Sequence, residues 1–173
     1  MPQLPLDAAT REAAMRAALA EAELAHSTRD VPVGAVLLDA DGSVLALARN
    51  EREKLHDPTA HAEVLAIRRG AEARGDWRLT DTTLVVTLEP CVLCAGAILS
   101  SRIPRLVFGA WDEKAGAAGS VHDLLRDRRL NHRVEVLGGV LETESSALLL
   151  DFFRGQRGSE LDEGDADAPA IEL

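Results

Sequence analysis

The chain has 173 residues, of which 46% are hydrophobic, which points to one domain with an ordinary buried core, or one domain and a short tail. Nineteen basic residues against 29 acidic ones give a net charge of −10, excluding a uniformly basic protein that coats nucleic acid but leaving room for a local basic patch. No apolar run approaches the roughly 20 residues of a membrane span, and the first seven residues hold neither a positive cluster nor an apolar signal core, so a cytoplasmic protein is expected.

In chain order, Asp7 is placed to cap a helix reaching about Ala25, with Met15, Leu19 and Ala22 at helical spacing. Two apolar runs, 33–38 and 43–48, flank a turn containing Asp41 and Gly42 and read as a β-hairpin. A loop is expected over 50–58 and a helix over 61–74, stopped by Gly75. Residues 83–88 form a β-rich run that ends at Glu89-Pro90, and 91–99 read as a helix opening directly after it. Short strands at 106–108 and 134–137 enclose a Gly- and Ala-rich loop over 109–120. A closing helix runs from Leu141 to about Arg154. This alternation predicts a three-layer α/β/α sandwich around a mixed five-stranded sheet.

After Gly158 the composition changes. Residues 159–173 contain six acidic residues and no basic ones, with too little apolar surface to offset the entropy of ordering. The expected organisation is therefore a folded domain over 1–157 and an acidic, disordered tail over 158–173.

The chemistry concentrates in His61-Ala62-Glu63 and Pro90-Cys91-Val92-Leu93-Cys94. These cysteines are the only two, too few for a disulfide framework. Either motif alone is weak: a histidine near a helix start is usually a cap or a surface residue, and C-x-x-C serves metal and redox roles alike. Together, one imidazole and two thiolates make a three-ligand zinc set with one position open for water, whose pKa zinc brings to about 7. Predicted helix N-termini at both motifs favour thiolates. Glu63, two residues after His61, is placed to accept the proton of that water and return protons to a substrate. The combined pattern H-x-E and P-C-x-x-C matches the zinc-deaminase signature.

Over about 13–154 the chain resembles the bacterial tRNA-specific adenosine deaminases, of the cytidine deaminase-like superfamily. The likeness rests on Val31-Pro32-Val33-Gly34-Ala35, on residues 56–63 (HDPTAHAE) and on residues 87–97 (TLEPCVLCAGA). Further segments are Ser101-Arg102-Ile103, Phe108-Gly109-Ala110, residues 116–120 (GAAGS), Asn131-His132-Arg133-Val134 and Asp151-Phe152-Phe153-Arg154. The chain departs from the family in carrying Trp111, where a basic residue is common, and in its acidic end.

The resemblance implies one zinc per chain held by His61, Cys91 and Cys94, with Glu63 moving protons. It implies that Asn50 hydrogen-bonds the flipped nucleotide, and that Val33, Ala62, Leu88 and Pro90 wall the base pocket. Asp112 would lie on the RNA-facing loop, and Phe152 or Phe153 would stack near it. The implied reaction is deamination of the wobble adenosine of a tRNA anticodon loop to inosine, by a homodimer. Phosphate contacts are expected from Arg126, Arg128, Arg129, His132 and Arg133, joined by Arg102, Arg105, Arg154 and Arg157. Two other readings stay open. One is a deaminase of the same superfamily acting on a free base or nucleoside, of guanine or cytosine type. The other is a structural zinc module, which needs a fourth ligand from His56, His122 or His132.

Overall fold

The computed structural model describes residues 6–163, with side chains described up to residue 156. It opens with α1 (Ala8–Leu24), followed by a 3₁₀ turn (Ala25–Thr28). The Asp7 carboxylate accepts the Thr10 backbone N–H at 2.7 Å and satisfies one of the first-turn donors that no helical carbonyl can reach. The strands β1 (Gly34–Leu38) and β2 (Val44–Arg49) form the hairpin. Next come a one-turn helix α2 (Arg52–Leu55), helix α3 (Ala62–Arg74), strand β3 (Thr83–Leu88) and helix α4 (Val92–Ser100). The chain closes with β4 (Arg105–Ala110), β5 (Glu135–Leu137) and α5 (Glu142–Glu163).

The sheet order is β2-β1-β3-β4-β5. β1 pairs antiparallel with β2 and β3, while β3, β4 and β5 run parallel, so the sheet is mixed as expected. Side-chain alternation along the strands feeds two cores. Ala35, Leu37, Leu84, Val86, Leu106 and Phe108 pack with Leu65, Ala66 and Ile67 of α3 and with Ala95 and Ile98 of α4. Val36, Leu38, Val85 and Val107 face the other way, toward Ala14, Met15 and Ala18 of α1. Strands covered on both faces read as continuous apolar runs, which is why these segments show no polar alternation.

Two glycines fix how the layers meet. A Cβ on Gly34 would lie 1.9 Å from the Ala18 carbonyl oxygen, so α1 rests directly on the β1 backbone. Gly75 ends α3 at φ 67°, the left-handed conformation that a glycine adopts without strain.

Three expectations are corrected. The segment 50–58 is not all loop, because α2 forms there, capped by the buried Asp30 carboxylate through the backbone N–H groups of Glu53 and Lys54. The Gly- and Ala-rich segment begins later than expected, since β4 runs to Ala110 and pairs with β3 as far as Leu88↔Ala110. The closing helix continues past Arg154 to Glu163, into the segment read as a tail. The rest of that segment, 164–173, lies outside the described residues.

Candidate metal centre and base pocket

Strand β3 delivers its chain directly into α4, and the loop after α2 delivers its chain into α3. As a result His61 and Cys91 both occupy N-cap positions, with extended backbone at φ −71° and −74°. Neither side chain caps its own helix. Both are left to face each other and Cys94, one turn into α4. His61 Nδ1 lies 3.6 Å from Cys91 Sγ and 3.3 Å from Cys94 Sγ, and the three ligand atoms all fall within 4.8 Å of one another.

These spacings fit a zinc site. Zn–S bonds of about 2.3 Å and Zn–N bonds of about 2.0–2.1 Å at tetrahedral angles put nitrogen and sulfur about 3.5 Å apart. The electrostatics agree. The hydrogen bond from Cys94 holds the Cys91 thiol well below its ordinary value, against the effect of burial, and His61 assists. The same bond, together with burial, pushes the Cys94 thiol up. His61 is raised above its ordinary value, chiefly by its hydrogen bond to Cys91. A divalent cation resolves this competition by taking both thiolates and a neutral imidazole. His56, His122 and His132 do not belong to the cluster. His132 Nε2 instead lies 2.8 Å from the Ile103 carbonyl oxygen. Three protein ligands, with no fourth among the described residues, describe a catalytic site rather than a closed structural one.

Glu63, in the first turn of α3, is 5% exposed and lines the same cavity as His61 and Cys91. Burial pushes its carboxyl above the usual carboxylate range, only partly opposed by its own backbone hydrogen bond and the nearby His61 charge. The cavity holds about 190 Å³ and is also lined by Val31, Val33, Asn50, Arg52, Ala62, Leu88, Glu89, Asp112 and Ala115. Asn50 Nδ2 donates to the Val31 carbonyl oxygen at 3.2 Å. Its Oδ1 is buried without a hydrogen-bond partner, a costly state unless a ligand donor satisfies it.

Of the residues expected at the site, the cavity gathers His61, Glu63, Cys91, Asn50, Val33, Ala62, Leu88 and Asp112. Cys94 lies behind it, fully buried, at the metal cluster. Pro90 is not on the cavity wall; it is buried, and its carbonyl accepts the Ala117 N–H at 2.8 Å. Sequence reasoning gave no role to Val31, Arg52, Glu89 and Ala115. Glu89 and Val31 sit inside the segments that carry the resemblance, whereas nothing in the sequence distinguishes Arg52 or Ala115 from surface residues.

A second cavity shares Val31, Asn50 and Arg52 with the first, and extends to Arg29, Phe152 and Phe153. Phe152 is buried against the His26 ring, with centroids 5.8 Å apart, whereas Phe153 is 46% exposed. The two rings meet edge to face at 5.4 Å, and of the pair Phe153 is the one that presents ring surface to solvent.

Residues 8–110 match the cytidine and deoxycytidylate deaminase zinc-binding region. The chain is 47% identical over 143 residues to the tRNA-specific adenosine deaminase of Bacillus subtilis, covering 83% of this chain and 88% of that one. It is 49% identical over 146 residues to the Haemophilus influenzae protein of the same name, covering 84% of each. Among solved structures, a chain from studies of A-to-I editing by tRNA:A34 deaminases superposes with a TM-score of 0.76 at 44% identity, covering 79% of this chain and 99% of that one. Guanine deaminase from Bacillus subtilis superposes with a TM-score of 0.57 at 30% identity, covering 93% of this chain and 97% of that one. A zinc-binding deaminase region over residues 8–110, and relatives this similar along most of their length, mean that the chain belongs to the tRNA-specific adenosine deaminase family.

Proposed function

We propose that this chain converts the adenosine at the wobble position of a tRNA anticodon loop to inosine, with one zinc per chain held by His61, Cys91 and Cys94. The carrying observation is the buried Glu63 beside that ligand cluster, on the wall of a cavity with one unsatisfied acceptor, Asn50 Oδ1. Zinc, when bound, supplies the Lewis acid that makes water a nucleophile near neutral pH.

The chain's own groups supply the rest. Glu63 takes a proton from the attacking water and delivers it to N1 of the adenine. A C6–O bond forms. Glu63 then moves the remaining proton of the new C6 hydroxyl to the exocyclic nitrogen, the C6–N bond breaks as C6=O forms, and ammonia leaves. The raised pKa of Glu63 suits a group that must both accept and donate protons. Asn50 Oδ1 accepts a hydrogen bond from the flipped nucleotide, and Val33, Ala62 and Leu88 close around the base. Asp112, also on the cavity wall, faces the nucleotide. A cavity of about 190 Å³ admits one base and excludes a stacked duplex, so the target must be extruded, which an anticodon loop permits more easily. The exposed Phe153 ring, on the adjoining cavity, offers a stacking surface for a flanking base.

The same reading includes a homodimer in the cytoplasm. Val92 and Leu93 lie exposed on α4, between the two cysteines, an apolar surface that a second copy can cover. Two cysteines without a disulfide suit a reducing compartment.

The likeness to guanine deaminase keeps a free-base reading in play. Incubation with tRNA and with free purines, followed by mass spectrometry of the nucleosides, separates the two. Inosine appearing at the first anticodon position is the expected result. Ammonia release from guanine with unmodified tRNA would overturn it.

A further inference from the structure

Glu89 stands apart from the residues discussed above. It is 2% exposed, and no cation pairs with it among the described residues. Three backbone N–H groups of one loop converge on its carboxylate instead. Oε1 accepts from Ala118 at 2.9 Å and from Ser120 at 3.0 Å, and Oε2 accepts from Asp112 at 3.0 Å. Unpaired buried carboxylates are costly, and oriented backbone donors of this kind are what make one tolerable.

The loop is built around this anion. A Cβ on Gly116 would fall 2.4 Å from Glu89 Cδ and 2.2 Å from Ser120 Oγ, so the backbone passes too close to the carboxylate for any side chain. Ser120 Oγ donates to the Asp112 carbonyl at 2.6 Å, and Gly116 N–H donates to the same oxygen at 2.9 Å. Asp112 Oδ1 accepts the N–H groups of Lys114 and Ala115 at 3.0 and 3.1 Å. Asp112 and Ala115, the two residues that this loop contributes to the cavity wall, are thus tied to Glu89 directly or through one turn.

We propose that Glu89 is a positioning residue, whose carboxylate clamps the loop over 112–120 and so sets the substrate-facing wall carrying Asp112. The proposal rests on the reading of Asp112 as a substrate contact. It assigns Glu89 no contact with the reacting atoms.

The two carboxylate oxygens are loaded unequally, which makes a selective test possible. A glutamine has one oxygen. Set at the Oε1 position it keeps Ala118 and Ser120, and its NH₂ then opposes the Asp112 N–H. In the zinc-loaded full-length protein, Glu89→Gln should keep one zinc per chain. Amide hydrogen exchange, read without substrate, should speed up at Asp112 while Ala118 and Ser120 stay protected. With an anticodon stem-loop RNA, KM should rise about tenfold with kcat within about twofold, because uniform binding is lost rather than transition-state stabilisation. Gly116→Ala, whose Cβ would crowd the Glu89 carboxylate and Ser120 Oγ and so displace the loop, should reproduce the KM effect.

Asp112→Ala completes a cycle. If Glu89 acts through Asp112, the double variant should be no worse than Asp112→Ala by more than about twofold. Multiplying losses, unchanged exchange at Asp112, or a kcat collapse with zinc loss would each overturn the clamp. A protein inert toward tRNA would overturn the tRNA reading instead, and the exchange pattern would still judge the clamp by itself.

Discussion

His61 and Cys91 show how one residue type takes its role from its place on an element. Each is an N-cap, a position normally filled by a side chain that bonds its own helix, and neither does so. The helix start gives each ligand a fixed direction and a favourable field, while the lost cap is replaced by ligation. Two substitutions separate binding from proton transfer. Cys94→Ser should lose most of its zinc in metal analysis, since a hydroxyl is a poor substitute for a fully buried thiolate ligand. Stoichiometric zinc with full activity in that variant would remove Cys94 from the ligand set. Glu63→Ala should keep the zinc and the fold, while single-turnover deamination falls by about two to four orders of magnitude or more. Near-normal turnover would show that another group moves the protons.

At the scale of elements, the site depends on how closely α1, the sheet and α3 are stacked. Met15 is fully buried between α1 and the sheet, a burial that contributes about 1.5–3 kcal/mol. The helix reaches that depth only because Gly34 presents bare backbone to Ala18. Gly34→Ala forces α1 or β1 to shift and should cost about 1–3 kcal/mol, seen as a lower urea midpoint at unchanged slope. An unchanged midpoint would mean that the contact relaxes freely. Beyond β2, Glu51 holds the connection from Asn50 into α2. Its 5%-exposed side chain meets Lys54 at 2.7 Å, Arg69 at 3.1 Å and Arg49 at 3.6 Å; burial is the largest single effect and raises its carboxyl, but the three cations together outweigh it and hold the carboxyl below the usual range. Removing one member of such a group leaves the others poorly compensated.

For the whole molecule, a net charge of −10 must be reconciled with a polyanionic substrate. Part of the expected basic cluster is already neutralised: Arg126 pairs with Asp123 at 3.0 Å and Arg129 with Asp127 at 2.6 Å. Arg102 donates to Asn131 at 2.8 Å, and the Arg157 side chain lies outside those described. Arg133 has no ion pair among the described residues. Replacing Arg133 by Ala should therefore weaken tRNA binding and lower the slope of log affinity against log salt by up to about one unit. Arg129→Ala should change it less, since Asp127 already competes for that guanidinium. Equal slopes for wild type and Arg133→Ala would place the phosphate contacts elsewhere.

The sequence by itself determined what local chemistry determines. Asp7 starting α1, Gly75 stopping α3, the two-sided apolar strands and the helix starts at His61 and Cys91 follow from neighbours within a few residues. The ligand types follow as well, because H-x-E and P-C-x-x-C specify donors whatever surrounds them. Tertiary structure alone decided which distant groups meet. His61 reaches Cys91 and Cys94 across 30 and 33 residues only because α3 and α4 cover the same face of the sheet. Asp30 capping α2 and Glu89 gathering three amides from a loop 23 to 31 residues away depend on pairings that leave no periodic trace. The length of α5 was missed for a related reason. An acidic composition predicts poor burial, but helix propagation adds a backbone hydrogen bond per residue and needs no apolar face of its own once packing has nucleated the helix.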